Sequence, residues 1–227
     1  MTLFAALVSN NPYANFDAKA LAIFLNSHSL RRKPGETFEY SNLGGGLLGF
    51  ALANQAETTY ENLIIGRITQ PLGMLSTKIT LTAKDQVRLA SPHLAGGGKA
   101  AYWTFDSMAG AGALRSSAKD MLTFVQANLL PEATPLVAAL TTTHKPQHAT
   151  SAPKTRVGLG WMITESPTGT LIWHNGGTGG FSSFIGFDPD RKLGVVVLAN
   201  SAAGVDPLAY DIWNVLTEPP PKSSEAK

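Results

Sequence analysis

Cysteine is absent from all 227 residues. That excludes disulfides, thiolate metal sites and a cysteine nucleophile, although it assigns no compartment. Charge is scarce and nearly balanced, at 15% Asp, Glu, Lys and Arg with a net charge of +2. The basic cluster "RRK" at 31–33 is short and reads as a solvated loop, so nucleic-acid binding is not expected. No apolar run approaches the ~20 residues needed to cross a bilayer, so no membrane span is expected. The opening "MTLFAALVSNNPYANF" lacks the basic region and long apolar core of a signal peptide. The five histidines form no His-Glu-x-x-His, and His144 and His148, flanking Pro146, read as loop residues rather than metal ligands. Nothing here implies a cofactor.

What is present is enough apolar residue, 44%, to bury a sizeable core. Residues 1–154 read mainly as helices. Asp17 caps a helix whose Leu21, Phe24 and Leu25 share a face. "RRKPGETFEY" is broken by Pro34-Gly35 and reads as a loop. Helices are expected over Leu43 to Ala56 and Tyr60 to Ile68, and again over Leu136 to Thr142. Thr82 with Asp85, and Ser117 with Asp120, are capping signals. From 155 to 217 the period changes. "VGLGWMIT", "GTLIWHNG", "FSSFIGFDP" and "LGVVVLANS" read as antiparallel strands, "DPDRK" as a hairpin turn, and "DPLAYDIWNVL" as a covering helix. Residues 218–227 read as a disordered tail. The expected fold class is α+β, with a helical subdomain and an antiparallel sheet closed by a C-terminal helix.

Two stretches stand out for chemistry. Tyr40-Ser41-Asn42 precedes a glycine run that opens an apolar helix. "WHNGGTGGF", Trp173 to Phe181, ends a predicted strand with more glycine than a hairpin needs, which points to close approach of a ligand to the backbone. Taken singly, each has a plainer reading: Tyr40 a packed loop residue, Asn42 a helix cap, His174 a structural hydrogen-bond donor. Gly44-x-Gly46-Leu47-Leu48-Gly49 fits the dinucleotide fingerprint literally. It lacks the preceding buried strand and the βαβ setting that the fingerprint requires.

Taken together, "PGETFEYSNLGGGLLGFAL", "ITQPLGMLSTKITL", "MAGAGALRSSAKDMLTFV", "GLGW" and "WHNGGTGGFSSFIGFDPDRKLGVVVLAN" resemble the penicillin-recognising serine hydrolases. These are the class C β-lactamases, the D-Ala-D-Ala peptidases and the β-lactamase-like esterases. The resemblance implies a small-molecule acyl substrate (β-lactam, ester or peptide) processed through an acyl-enzyme. It implies that Tyr40 is the catalytic phenol that relays the serine proton. Asn42 would bind the substrate amide, with Gly176 and Thr178 also substrate-binding. His174 stands where most β-lactamases carry lysine, and Gly177 would lend its N–H to an oxyanion hole. Histidine grips an anionic carboxylate less firmly than lysine, which tilts the expectation toward ester or peptide-like substrates.

The family's first element, Ser-x-x-Lys on a helix upstream of Tyr-x-Asn, has no counterpart before Tyr40. Three such strings occur later, at Ser116–Lys119, Ser151–Lys154 and Ser224–Lys227. Pro153 argues against the second as a helical pair, and the third lies in the tail. Ser116 with Lys119 is therefore the alternative nucleophile pair. The resemblance otherwise implies the C-terminal portion of a serine hydrolase, weakly active or inactive as this chain, with a sheet edge left open for homodimerisation. A non-catalytic binder of β-lactam or peptidoglycan-like ligands is the competing expectation.

Overall fold

The computed structural model describes residues 11–217, and the tail expected at 218–227 lies outside them. Helix α1 (Ala18–Ser27) starts where Asp17 accepts from the Ala20 amide at 2.7 Å, as the sequence suggests. Helix α2 (Asn42–Gln55) is capped by Ser41, whose Oγ accepts from Gly44 N at 3.0 Å, so Asn42 is left free of capping duty. Helix α3 (Tyr60–Ile64), capped by Thr59, passes into a π-helical turn at Ile65–Thr69 where a single helix to Ile68 was expected. Thr82 and Asp85 form the anticipated capping box at α4 (Ala83–Gln86). Ser117 caps α5 (Ala118–Leu129), and α6 (Val137–Thr143) follows. Among the described residues no helix is long and apolar enough to cross a membrane.

Glycine in α2 costs helix propensity, and the packing shows what it gains. A Cβ at Gly46 would lie 2.7 Å from the Met108 side chain, and one at Gly49 would lie 3.0 Å from Gly110 Cα. Conversely, a Cβ at Gly110 would sit 2.5 Å from the Gly45 carbonyl. The 3₁₀ turn Ala109–Ala111 thus lies directly on the helix backbone. The glycines that mimic a dinucleotide fingerprint are a helix-packing seam inside α2, not a phosphate loop at a strand end.

Six antiparallel strands follow in chain order: β1 (His148–Ala149), β2 (Thr155–Val157), β3 (Met162–Ser166), β4 (Gly169–Thr178), β5 (Phe181–Asp188) and β6 (Leu193–Ala199). The sheet thus begins at His148, ahead of the change of period at 155. "VGLGWMIT", expected as one strand, is two: Val157 of β2 pairs with Met162 of β3 across a turn through Gly160, whose φ of +85° suits glycine. The "DPDRK" turn forms as expected, with Asp188 Oδ1 accepting from the amides of Asp190 and Arg191.

Helices cover both faces. On one, Val125 of α5 packs with Trp161, Ile163, Ile172, Ile185 and Phe187. On the other, Ala209 and Trp213 of α7 (Asp206–Thr217) pack with Leu171, Phe184, Val195 and Val205. Phe184 and Phe187, on opposite faces of β5, are both fully buried, and each such ring contributes roughly 1.5–3 kcal/mol of burial. β4 is therefore clamped along most of its length, which makes its protruding end a firm platform.

Candidate active site

Tyr40 ends the loop that precedes α2. Two features steady this loop: the Arg32–Glu39 ion pair, and the turn in which Lys33 N donates to Glu36 Oε2 at 3.3 Å. Tyr40 is 58% exposed, an unusual degree for a packed tyrosine, and its ring centroid lies 6.1 Å from that of His174 at a 43° tilt. A residue of the helical region and one of the sheet thus meet on one surface.

His174 stands at the point where β4 outruns β3. The β3–β4 pairing stops at Met162–Trp173, whereas β5 accompanies β4 to Thr178–Phe181. Among the described residues, 174–178 are consequently laddered on one side only. His174 Nδ1 lies 2.5 Å from the Asn175 carbonyl. A carbonyl can only accept, so Nδ1 carries the proton and the neutral ring keeps its lone pair on Nε2. The Asn175 side chain reaches the other way and donates to Asp206 Oδ1 at 3.1 Å, tying the strand end to α7. Beneath it Trp173 stacks on Phe184, and Tyr210 meets both rings edge-on. Burial, and then the Asp206 charge, raise the Tyr210 phenol above its ordinary pKa.

The excess glycine in "WHNGGTGGF" divides by position. A Cβ at Gly179 would strike the Ala101 carbonyl and lie 2.5 Å from Trp103 Cδ1; one at Gly180 would lie 2.6 Å from Pro92 Cβ. Those two glycines admit the protein's own loop, which His93 fastens by donating its amide to Gly180 O at 3.2 Å. A Cβ at Gly176 would lie 2.7 Å from Ser183 Oγ. Gly177 alone of the four is exposed with nothing within 4 Å of a Cβ position. The sequence pointed to close approach of a ligand, but at Gly176, Gly179 and Gly180 the approaching body is the chain itself.

Asn42 and Thr178 join the site through residues that no motif announced. Asn42 Nδ2 donates to the Tyr13 hydroxyl at 3.0 Å, and Tyr13 stacks on Phe105 at 4.7 Å. Gly112 lies between that ring and the strand: its Cβ position is 3.6 Å from both Phe105 Cζ and Thr178 Cγ2. Arg115 holds this wall by donating to the carbonyls of Ile79 and Trp103. Tyr40, Asn42, His174 and Thr178 are thereby linked around one surface through Tyr13, Phe105 and Gly112. The aromatic strings "NPYANF" and "YWTF" were the available signal for those partners.

Ser116 and Lys119 lie elsewhere in the bonding pattern. Thr77 Oγ1 donates its single proton to Asp120 Oδ2 at 2.8 Å, so at the 2.7 Å Ser116–Thr77 contact the serine is the donor. Lys119 is exposed on the first turn of α5. No hydrogen bond among the described residues joins either side chain to Tyr40, Asn42 or His174, nor does any serine or lysine hydrogen-bond to the Tyr40 hydroxyl. A cavity of about 220 Å³ lined by Pro71, Leu72, Ala127 and Pro135, and one of about 310 Å³ at residues 149–156, both lie away from this surface. Among the described residues no group of three or more His, Asp or Glu could hold a metal ion.

The Beta-lactamase family model matches residues 5–217. A beta-lactamase of Yersinia enterocolitica is 26% identical over 232 residues, covering 81% of this chain and 56% of that protein. Protein flp of Staphylococcus aureus (strain NCTC 8325 / PS 47) is 29% identical over 183 residues, 75% of this chain and 35% of its own. The D-alanyl-D-alanine-carboxypeptidase/endopeptidase AmpH of Escherichia coli (strain K12) is 28% identical over 188 residues, 77% of this chain and 48% of its own. This chain thus spans about half the length of the curated relatives it matches, or less. Two solved structures share its fold. A beta-lactamase/D-alanine carboxypeptidase from Pseudomonas syringae superposes with TM-score 0.81 at 20% identity, covering 89% of this chain and 66% of that one. A class C beta-lactamase gives 0.80 at 23% identity, with 89% and 64% covered.

Proposed function

This chain belongs to the beta-lactamase family, and on that premise we propose that the Tyr40–His174 surface is an acyl-substrate site of a β-lactamase-related serine hydrolase. Small-molecule acyl compounds are the substrate class that the family implies. The observation that carries the reading is the 6.1 Å approach of Tyr40 to His174 beside the free edge of β4.

Each role follows from chemistry on that surface. Tyr40 is the proton relay, its phenol accessible to an incoming nucleophile. Alternate residues of a strand point their N–H and C=O groups the same way, and Asn175 O reaches its own His174 side chain. This supports an outward-facing Gly177 N–H as one arm of an oxyanion hole, with the open space at Gly177 leaving room for a carbonyl. Asn42, Gly176 and Thr178 line the substrate. His174 holds an anionic carboxylate less firmly than the lysine most β-lactamases carry there, which suits ester or peptide-like ligands more than a carboxylate anchor.

A second reading is favoured by the Tyr40 hydroxyl, which has no hydrogen-bond partner among the described residues: as this chain, the site binds acyl ligands and turns them over weakly or not at all. Acyl transfer by the family route needs a serine and a lysine beside the phenol. The Ser116 hydroxyl, committed to the Thr77–Asp120 network, is a weaker candidate than the pair appeared as text. The deciding experiment is hydrolysis of nitrocefin and p-nitrophenyl acetate by the purified chain, Tyr40→Phe and Ser116→Ala. We expect slow rates that Tyr40→Phe lowers further and Ser116→Ala leaves unchanged. Fast turnover that survives Tyr40→Phe, or dependence on Ser116, contradicts the assignment.

We also propose self-association through β6, the outermost long strand. Its sequence, "LGVVVLA", has neither charge nor proline to blunt the edge. Antiparallel pairing of two copies about Val196 would oppose Val195 to Val197, both of which pack on the α7 side of the sheet. Val196 packs on the α5 side, so that register keeps both faces continuous.

A further inference from the structure

The sequence contains a single Asn-Gly pair, Asn175-Gly176, and the fold puts it at the strand end that carries His174. Asn-Gly is the dipeptide most prone to deamidation, because glycine has no side chain to crowd the attack of its amide nitrogen on the preceding side-chain carbonyl. Both residues are exposed, and among the described residues only β5 accompanies them, so the loss of one ladder opens the segment. Two contacts oppose the reaction while the strand end is closed. Asn175 O faces away from β5, so by alternation the Gly176 amide points toward β5, opposite Ser183. The leaving group is held as well: Asn175 Nδ2 donates to Asp206 Oδ1 at 3.1 Å, which draws the side chain toward α7.

We propose that Asn175 is a guarded modification site: it deamidates when the strand end opens, and Asp206 slows the step by holding the leaving amide. In that step the Gly176 nitrogen bonds to Asn175 Cγ and gives its proton to solvent base. The Cγ–Nδ2 bond breaks, and Nδ2 takes a proton from water and leaves as ammonia. Water then opens the five-membered imide at either carbonyl, giving aspartate, or isoaspartate with the chain rerouted through Cγ. Nothing is oxidised or reduced. Either product replaces the Nδ2 donor with a carboxylate near that of Asp206, so the strand end loses its tie to α7 and gains a like-charge contact. Isoaspartate also adds a methylene to the backbone just before Gly176 and Gly177. The inference does not depend on the acyl-site reading, although the strand end it alters is the one that reading uses.

The test ages the full chain at mildly alkaline pH, folded and in urea, and then cleaves it with trypsin. Cuts after Arg156 and Arg191 release residues 157–191, in which Asn175 is the one amide side chain, so the mass gain of that peptide reports this site alone. The unfolded chain is expected to convert fastest, to aspartate and isoaspartate together, and the folded parent about tenfold more slowly or less. Asp206→Ala should quicken the folded chain about three- to tenfold, the worth of one exposed hydrogen bond. Asp206→Asn keeps an acceptor and should stay near the parent rate. In the parent, the Asn175 side-chain amide protons should exchange with solvent more slowly than in the unfolded chain. Free exchange of those protons overturns the proposal even if Asp206→Ala fails to fold, and so does a folded Asp206→Ala that ages at the parent rate. A folded parent that converts as fast as the unfolded chain shows that nothing guards the pair. An unfolded chain that does not convert, or yields aspartate alone, removes the imide route itself.

Discussion

The rings of Tyr40 and His174 lie with centroids 6.1 Å apart, one presented by the loop before α2 and the other by the strand end that β3 leaves uncovered. Neither position alone says anything about acyl chemistry. Their approach beside an open strand edge is what gives the glycine-rich segment a chemical neighbour.

Removing the His174 ring should weaken acyl-ligand binding without unfolding the chain, because the ring is only half-buried and the strand beneath it is held by Trp173 and Phe184. His174→Ala is expected to lower affinity for benzylpenicillin about three- to tenfold, the worth of one exposed hydrogen bond, with an unchanged melting temperature. Calorimetric titration beside thermal melting checks both halves. Unaltered affinity in a folded variant would remove His174 from the site.

Two glycines of the same segment should respond oppositely to alanine. Gly177→Ala meets open space and should leave stability within about 0.5 kcal/mol while weakening ligand binding. Gly179→Ala drives a methyl group into the Ala101 carbonyl and Trp103, and should cost roughly 1–3 kcal/mol. Urea denaturation of the two variants tests the division. Equal costs would mean that the loop at 101–103 does not press on Gly179 as the packing indicates.

The β6 edge predicts concentration-dependent association. Val196→Lys puts a charge at the centre of the proposed two-fold pairing and is the kind of residue that protects natural edges. Sedimentation velocity should show the parent chain growing heavier with concentration and the variant staying monomeric. A parent chain that sediments as a monomer throughout counts against the pairing.

Stability should also depend on His144. Its Nε2 lies 2.8 Å from Asn128 Oδ1, its ring lies 5.2 Å from that of Phe187, and burial lowers its pKa. Above an ordinary histidine pKa of ~6.5 the ring is neutral folded or unfolded, so it imposes no cost. As pH falls through that value the unfolded chain takes up the proton first, and stability declines until the folded ring titrates as well. Between pH 7.5 and 5 the parent should lose more stability than His144→Gln. Parallel losses would show that another group sets the slope.

Much of this architecture was legible because its signals are local. Asp17, Thr82 and Ser117 cap the helices that their side chains suggest, and the Asp188 turn forms where its text predicts. Tyr40, Asn42 and His174 could be picked out because they sit in a spacing characteristic of a family. Tyr13 could not, since its bond to Asn42 crosses 29 positions and depends on how Phe105 and Trp103 pack. Nor could the glycines be sorted in advance. Composition shows that a backbone is approached closely, but only packing tells whether the visitor is Met108, Pro92 or empty space.

At the root of the account is a claim of convergence: a phenol, an amide and a bare strand edge face one acyl group. Amide chemical-shift mapping of the labelled chain during titration with benzylpenicillin tests it most directly. The account predicts perturbations concentrated at residues 40–42 and 174–178, with little change at 116–119. Shifts confined to Ser116–Lys119, or a silent strand end at saturating ligand, would contradict it.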